Sequence, residues 1–249
     1  MDDGKGDPTM HADGRPRHQQ IAADLRAQIM SGRLEAGAQL PSTPQLVAQY
    51  SSANATIQRA LAILKAEGYL YGRAGKGVYV RDRQPFVVDV AAYFTPGQSG
   101  LSYRLLDVSE LRPPADIVRD LELEADETAI VRKRLLIRDD EPVELCWSYY
   151  PASIAAGSDL TSHRRIRGGA PRVLADLGLP EREFTDAISV RPPTVEEVEA
   201  LHLPAEVPVI CQSRVVYSDD RRPVEASILV KGGHLYELRY WQTITPMGE

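Results

Sequence analysis

The stretch IAADLRAQIMSGRLEAGAQLPSTPQLVAQYSSANATIQRALAILKAEGYLYGRAGKGVYV, residues 21–80, decides the architecture of the N-terminal third. From His18 to Ser31, the residues Ile21, Leu25 and Ile29 recur every fourth position and form one apolar stripe of an amphipathic helix. Gly32 stops it. RLEAGAQLPS is a short extended connector. Ser42 is a good N-cap, Pro44 is tolerated in a first helical turn, and Leu46 and Val47 face inward, which predicts a second short helix through Tyr50. After the polar break Ser51-Ser52, a third helix is expected from Ala53 to Glu67. Its stripe is Ile57, Ala60, Leu61 and Leu64, and Gly68 serves as its C-terminal stop. Tyr69-Leu70-Tyr71 and Val78-Tyr79-Val80 then flank GRAGKG as two short strands of a β-hairpin. Three helices and a hairpin in this order predict a winged helix-turn-helix.

That architecture assigns roles. A recognition helix enters the major groove and reads base edges from its N-terminal half. Asn54, Ala55, Thr56, Gln58 and Arg59 occupy that position, with Gln or Asn suited to adenine and Arg to guanine. Ser42 and Thr43, at a helix N-terminus, suit a phosphate oxygen. Lys76 between Gly75 and Gly77 can approach the DNA backbone or minor groove at the hairpin tip.

The chain has 249 residues, 43% of them hydrophobic, enough for one large or two ordinary domains. Its formal charge of −6 is unevenly spread. Residues 15–83 carry +6, the first fourteen −3, and everything from Gln84 onward −9. A basic module fused to an acidic one suits DNA contact by the first and another task for the second. MDDGKGDPTMHADG, residues 1–14, has no apolar core and is expected to be a disordered leader rather than a secretory signal. No apolar run is long enough to span a membrane. Cys146 and Cys211 sit in apolar strand-like runs and are expected to be buried free thiols of a reducing cytoplasm. The five histidines are scattered, and neither metal, cofactor nor catalytic group is expected.

Beyond a connector, the order strand-helix-strand-strand occurs twice. PPADIVRDLELEADETAIVRKRLLIRDDEPVELCWSYYP starts at Pro113 and PPTVEEVEALHLPAEVPVICQSRVVYSDDRRPVEASILVKG at Pro192. Each opens on Pro-Pro and an acidic helix. Each continues through a strand carrying Arg134 or Arg214, an Asp-Asp hairpin turn, and Pro-Val-Glu leading the next strand. Between the copies lie Gly168-Gly169, a helix from about Pro171 to Leu177, and a strand around Phe184 to Val190. The duplication predicts an α+β domain built on a largely antiparallel sheet with approximate internal two-fold symmetry. It makes Glu144 and Glu225 equivalent. Three readings of that pair stay open: an acid–base couple of an enzyme, a mere recurrence of hairpin geometry, and acceptors for a polar ligand held between the halves.

The first module resembles the DNA-binding domain of the GntR family over about 65 residues. The resemblance rests on the spacing "G.L..G..LPS…L…Y", "T…AL..L..EG" and "GKG..V". This chain has Pro44, Asn54 and Gln58 at positions where the family often has arginine, so a different operator preference is expected. The second module resembles, over roughly Leu101 to Thr245, the UTRA effector domain of the HutC-type members, with a chorismate-lyase-like fold. The resemblance implies a small-molecule effector among Arg134, Glu144 and Glu225 and the start of the central helix, at Gly169 and Arg172. Where that helix start often carries a serine and an aromatic residue, this chain has Gly169-Ala170-Pro171-Arg172. The organisation expected is a leader over 1–14, the DNA-binding domain over 15–82, a linker over 83–100, and an effector-binding and dimerisation domain over 101–249. The expected activity is that of an effector-modulated repressor in the cytoplasm, associated with the nucleoid. It would bind double-stranded operator DNA as a homodimer, with no membrane partner. Three alternatives compete: an orphan regulator whose C-terminal domain only dimerises, a lyase-like enzyme using Glu144 or Glu225, and a subclass with an all-helical effector domain. Strand-rich segments such as AIVRKRLLI count against the last.

Overall fold

The computed structural model describes residues 13–82, 86–89, 101–124, 126–204, 207–234 and 236–240. The chain divides into two compact units, Met1–Gln84 and Pro85–Glu249. Apart from Asp13 and Gly14, the expected leader lies outside the described residues.

In the first unit the apolar stripes read from the sequence converge. Helices α1 (Arg17–Met30), α2 (Thr43–Tyr50) and α3 (Asn54–Ala66) bury Ile21, Leu25, Leu46, Ile57, Leu61 and Leu64 in one core. Each such side chain contributes about 1.5–3 kcal/mol by leaving water. Ser42 caps α2 with Gln45, whose side-chain oxygen accepts from the Ser42 backbone N–H and hydroxyl, both at 2.8 Å. Arg26 on α1 grips Glu67, the residue after α3, with N···O distances of 2.7–2.9 Å. This ion pair fixes the angle between the two longest helices. Strands β1 (Leu70–Arg73) and β2 (Gly77–Val80) form the antiparallel hairpin. Gly77 has φ +113, and a Cβ there would meet the Gln39 side-chain nitrogen at 2.8 Å. That nitrogen donates to the Lys76 carbonyl, so the tip requires glycine at this position.

The second unit is built on a six-stranded sheet. The first repeat supplies β4 (Leu101–Leu111), α4 (Ala115–Asp120), β5 (Ala129–Arg138) and β6 (Glu141–Pro151). A short helix α5 (Ala152–Ala155) and α6 (Gly169–Asp176) follow, and the second repeat supplies β7 (Glu183–Arg191), α7 (Val195–Leu201), β8 (Val209–Tyr217) and β9 (Pro223–Gly232). The strand order is β4-β5-β6-β9-β8-β7 and every pairing is antiparallel. The β6–β9 pair at the centre is the seam of the duplication. Because side chains alternate across a strand, the sheet has two different faces. One is apolar and packs Leu145, Leu201, Val209 and Val230 under α7, and Ile117, Val131 and Ala226 around α4. The other carries most of the buried polar residues. It is covered at one end by α5 and α6.

Three details differ from the sequence expectations. Phe86–Asp89, within the segment read as a linker, forms a strand β3 that pairs in parallel with β10 (Tyr236–Arg239). Asp139 and Asp140 do form a tight two-residue turn with φ of 49° and 65°, but Asp219-Asp220 does not. They open a 3-10 turn through Arg221, and the ladder resumes only at Tyr217–Pro223. Two arginines stand before Pro223 where the first repeat has the single Glu141, and the one extra residue lengthens that loop. Finally, α6 begins at Gly169, two residues before Pro171, because Gly168 and Gly169 both take positive φ, 84° and 77°.

Candidate functional site

The polar sheet face and the start of α6 enclose a cavity of about 260 Å³ within the second unit. Its floor comes from β5, β6, β8 and β9, and its lid from Ala170 and Pro171 of α6. The cross-strand register lays out the floor: Cys146 lies opposite Arg134 on one side and Leu229 on the other, and Ser148 opposite Ser227.

A hydrogen-bond chain crosses this floor. Arg134 Nη2 donates to Ser148 Oγ at 2.5 Å and lies 3.3 Å from Cys146 Sγ. Ser148 and Ser227 are 2.6 Å apart, and Ser227 donates to Glu225 Oε1 at 2.5 Å. Since Ser227 spends its proton on the carboxylate, Ser148 must donate to Ser227. The protons therefore run one way, from cation to anion, and each bond polarises the next. Two groups are left over. Arg134 Nε is buried with no hydrogen bond, and the fully buried Tyr150 hydroxyl lies close to Glu225 and Ser148 without a well-aligned hydrogen bond to either. Burial pushes the Tyr150 phenol, and likewise the Cys146 thiol, well toward their neutral forms.

Glu144 has a different environment. It pairs with the Lys231 ammonium at 2.9 Å, the two side chains being 1% and 0% exposed. Lys231 also donates to Gln212 Oε1 at 2.9 Å. Arg214 is engaged too: it holds Asp186 through two bonds of 2.7 Å and stacks 4.2 Å from the Phe184 ring centre. Glu181, in the segment between α6 and β7, lines the cavity without a hydrogen bond or ion pair to any described residue. Burial first, and the negative Glu225 second, raise its pKa to about 7, with Arg214 acting in the opposite sense.

Of the residues singled out from sequence, Arg134, Glu144 and Glu225 thus line one cavity. Arg172 does not. Its guanidinium turns outward on α6 and pairs with Asp176 at 2.9 Å, both side chains more than 60% exposed. Helical geometry explains this, since positions four apart share a face. Gly169 does not line the cavity either: it is the first residue of α6, and the next two, Ala170 and Pro171, are the ones that reach it. Tyr150, Ser148, Ser227, Lys231 and Glu181 escaped the sequence reading. One signal was present, a lysine within the apolar run SILVKG, which marks a buried charge seeking a partner. Among the described residues no cluster of three or more His, Cys, Asp or Glu could hold a metal.

In the first unit, Asn54, Ala55, Gln58 and Arg59 are exposed and Thr56 half-buried on the first turns of α3. Gln58 donates to Thr43 Oγ1 at 3.1 Å, tying α3 to the start of α2. Ser42 and Thr43 stand at that start, and Gly75, Lys76 and Gly77 are exposed at the hairpin tip. Arg73, packed 4.9 Å from the Tyr79 ring centre and 5.4 Å from that of Tyr71, stiffens the hairpin behind the tip.

Comparison with known proteins agrees with both halves. The model for bacterial regulatory proteins of the gntR family matches residues 17–80, and the UTRA domain model matches residues 98–237. An HTH-type transcriptional regulator of Streptomyces coelicolor is 28% identical, over 90% of this chain and 92% of that protein. The HTH-type transcriptional regulator GgaR of Escherichia coli is 24% identical, over 87% of each. Among solved structures, a GntR-family transcriptional regulator superposes with a TM-score of 0.63 at 22% identity, over 93% of this chain and 99% of that one. PhnF from Mycobacterium smegmatis gives 0.58 at 19% identity, over 90% and 100%. With a helix-turn-helix unit followed by a UTRA unit, the chain belongs to the GntR family of bacterial regulatory proteins and is a transcriptional regulator.

Proposed function

We propose that this regulator is a repressor that binds operator DNA as a homodimer, and that a small molecule held in the cavity changes its operator affinity. The observation that carries the effector half is the cavity itself, with the orphaned Arg134 Nε and a poorly aligned Tyr150 hydroxyl in its wall. A buried polar group without a partner costs about 1–3 kcal/mol. A ligand that supplies the missing partners recovers that cost on binding.

The DNA half rests on the exposed polar edge of α3 and on the glycine-flanked Lys76. Asn54, Ala55, Thr56, Gln58 and Arg59 face bases, Ser42 and Thr43 face phosphates, and Gly75-Lys76-Gly77 reaches the backbone or minor groove. A dimer follows from operator logic, because one module this small supplies too little affinity and specificity by itself. The working place of such a protein is the nucleoid in the cytoplasm. Gly169 and Arg172 both lie outside the lining of the cavity, to which α6 contributes Ala170 and Pro171.

Genomic footprinting of bound sites, followed by gel shifts on the sites found, tests both halves. Arg59→Ala and Gln58→Ala should weaken operator binding by about 1–3 kcal/mol each while leaving the oligomeric state intact. Unchanged shifts remove these residues from the reading edge. Glu225→Ala should blunt the effector response while basal DNA binding persists. If both fall together, Glu225 is a structural residue. The orphan reading draws support from the internal Glu144–Lys231 pair, which already fills part of the polar face. A thermal-shift screen with sugar phosphates, amino acids, organic acids and amines decides it, since a molecule that only dimerises yields no stabilised hit.

A further inference from the structure

We propose that the molecule held in this cavity carries a protonated amine, which lies between Glu181 and Glu225 as the Lys231 ammonium lies on Glu144. The inference rests on the effector reading above and narrows it to a chemical class.

The duplication supplies the argument. In each repeat the glutamate of Pro-Val-Glu is followed six residues later by a second inward position: Tyr150 after Glu144, Lys231 after Glu225. Because β6 and β9 are antiparallel, each glutamate meets the second position of the other repeat. Glu144 lies opposite Lys231. Tyr150, one residue beyond the Tyr149–Ala226 pair, comes alongside Glu225. The same carboxylate therefore occurs twice in the same setting. In one copy the chain provides its own ammonium, and in the other it provides a neutral phenol.

Among the described residues no cation fills the second setting. Arg214 is held by Asp186, and Lys231 by Glu144 and Gln212. Arg134 directs Nη2 at Ser148 and Cys146 and reaches Glu225 only through the serine chain. Arg214 and Lys231 are held by carboxylates of their own, although Arg214 still acts on Glu181, so the cations that line the cavity fall short of the two further carboxylates, Glu181 and Glu225. An amine restores the balance, its N–H donors suit carboxylate oxygens, and the buried Tyr150 hydroxyl stands ready as a further partner. A phosphate suits the cavity poorly. It would meet both carboxylates, and the lid begins Gly169-Ala170-Pro171, with no hydroxyl and with a proline that has no N–H to donate.

Amine binding should then displace a proton. Glu181 has a pKa of about 7, set by its burial and by Glu225 on β9, with Arg214 on β8 opposing. Tyr103 on β4, Arg134 on β5, and Glu144, Cys146 and Tyr150 on β6 are the other titratable groups that line the cavity. Below that pH Glu181 is neutral, and an ammonium must expel its proton to enter.

The test uses the full chain with matched pairs of amine and alcohol: putrescine against 1,4-butanediol, 6-aminohexanoate against 6-hydroxyhexanoate, and glucamine against sorbitol. Sugar phosphates and organic acids complete the panel. Thermal shift and calorimetry should show an amine binding and its alcohol failing to bind. Below pH 7 the affinity should rise about tenfold per pH unit, with protons released on binding. Glu181→Gln should weaken the amine and flatten the pH profile. It keeps the size of a half-buried side chain that has no hydrogen bond or ion pair to a described residue, so folding is retained, and Arg172→Ala, outside the cavity, should leave binding unchanged. Alcohols or anions binding as well as amines, or an unaltered pH profile in Glu181→Gln, overturns the amine assignment and leaves the effector cavity standing. If no compound in the panel binds at all, both fall.

Discussion

The two halves of the effector unit share a scaffold and differ in how they treat the same carboxylate. In each, a strand-helix-strand-strand repeat brings a Pro-Val-Glu glutamate to the polar face of the central strand pair. Glu144 meets Lys231 and is sealed from solvent at the cavity wall, with both side chains essentially inaccessible. Glu225 meets Tyr150, accepts from Ser227, and borders a cavity. One substitution at an equivalent position, lysine for tyrosine, separates a structural ion pair from an open site. A duplicated fold can thus keep one copy for stability and free the other for binding, because a buried carboxylate needs a partner in either case and only the source of that partner changes.

The largest effect should come from breaking the sealed half. Lys231→Ala strands Glu144 without its cation and should cost about 3–5 kcal/mol in denaturant unfolding. Lys231→Met with Glu144→Leu should recover much of it, since a buried pair replaced by apolar residues of similar size is often neutral. A small cost for the single variant would mean that the sealed half is not held by this pair.

The open half should show itself next, through pH. Glu181 has its pKa raised from an ordinary value of 4.5 to about 7. Between those values the folded protein keeps a proton that the unfolded chain has released. Glu181 therefore favours folding less and less as pH rises through this window, and above about pH 7 its charge opposes folding fully. Glu181→Gln should flatten this fall in melting temperature between pH 5 and 8 (about the span of the two pKa values) and should raise the melting temperature at the alkaline end. Parallel melting curves for the two proteins would mean that the open half carries no such strain.

Tyr150→Phe should hold stability level or raise it by about 1 kcal/mol, because it removes a buried hydroxyl that lacks a well-aligned hydrogen bond. A large destabilisation would show that the open half is as internally satisfied as the sealed one. The smallest effect belongs to Arg172→Ala, within about 0.5 kcal/mol, with no change in ligand response. A lost response would return Arg172 to the site.

Local pattern made much of this protein legible in the sequence. The helix stripes of α1 to α3 appear where the four-residue spacing places them, and Gly32, Gly68 and the Ser42 cap sit at their ends. The repeat was legible because two strand-helix-strand-strand units share Pro-Pro, arginine, Asp-Asp and Pro-Val-Glu at matching positions. Arg134, Glu144 and Glu225 fall together in one cavity because a sheet puts alternate residues of neighbouring strands on one face.

Partnership was the part that sequence left open. The order of residues says that Glu144 and Glu225 are equivalent, yet not that the antiparallel seam joins each glutamate to the other repeat's sixth residue. It leaves Arg172 as plausible a site residue as Ala170, whereas the start of α6 turns the arginine toward Asp176 and solvent. Glu181 has no motif at all, and only the folded chain brings it beside Glu225. Spacing along the chain determines which side chains share a face, a property of one element and its period. Which charges face one another, and which remain unmet, depends on how separate elements pack, and that was decided only in the tertiary structure.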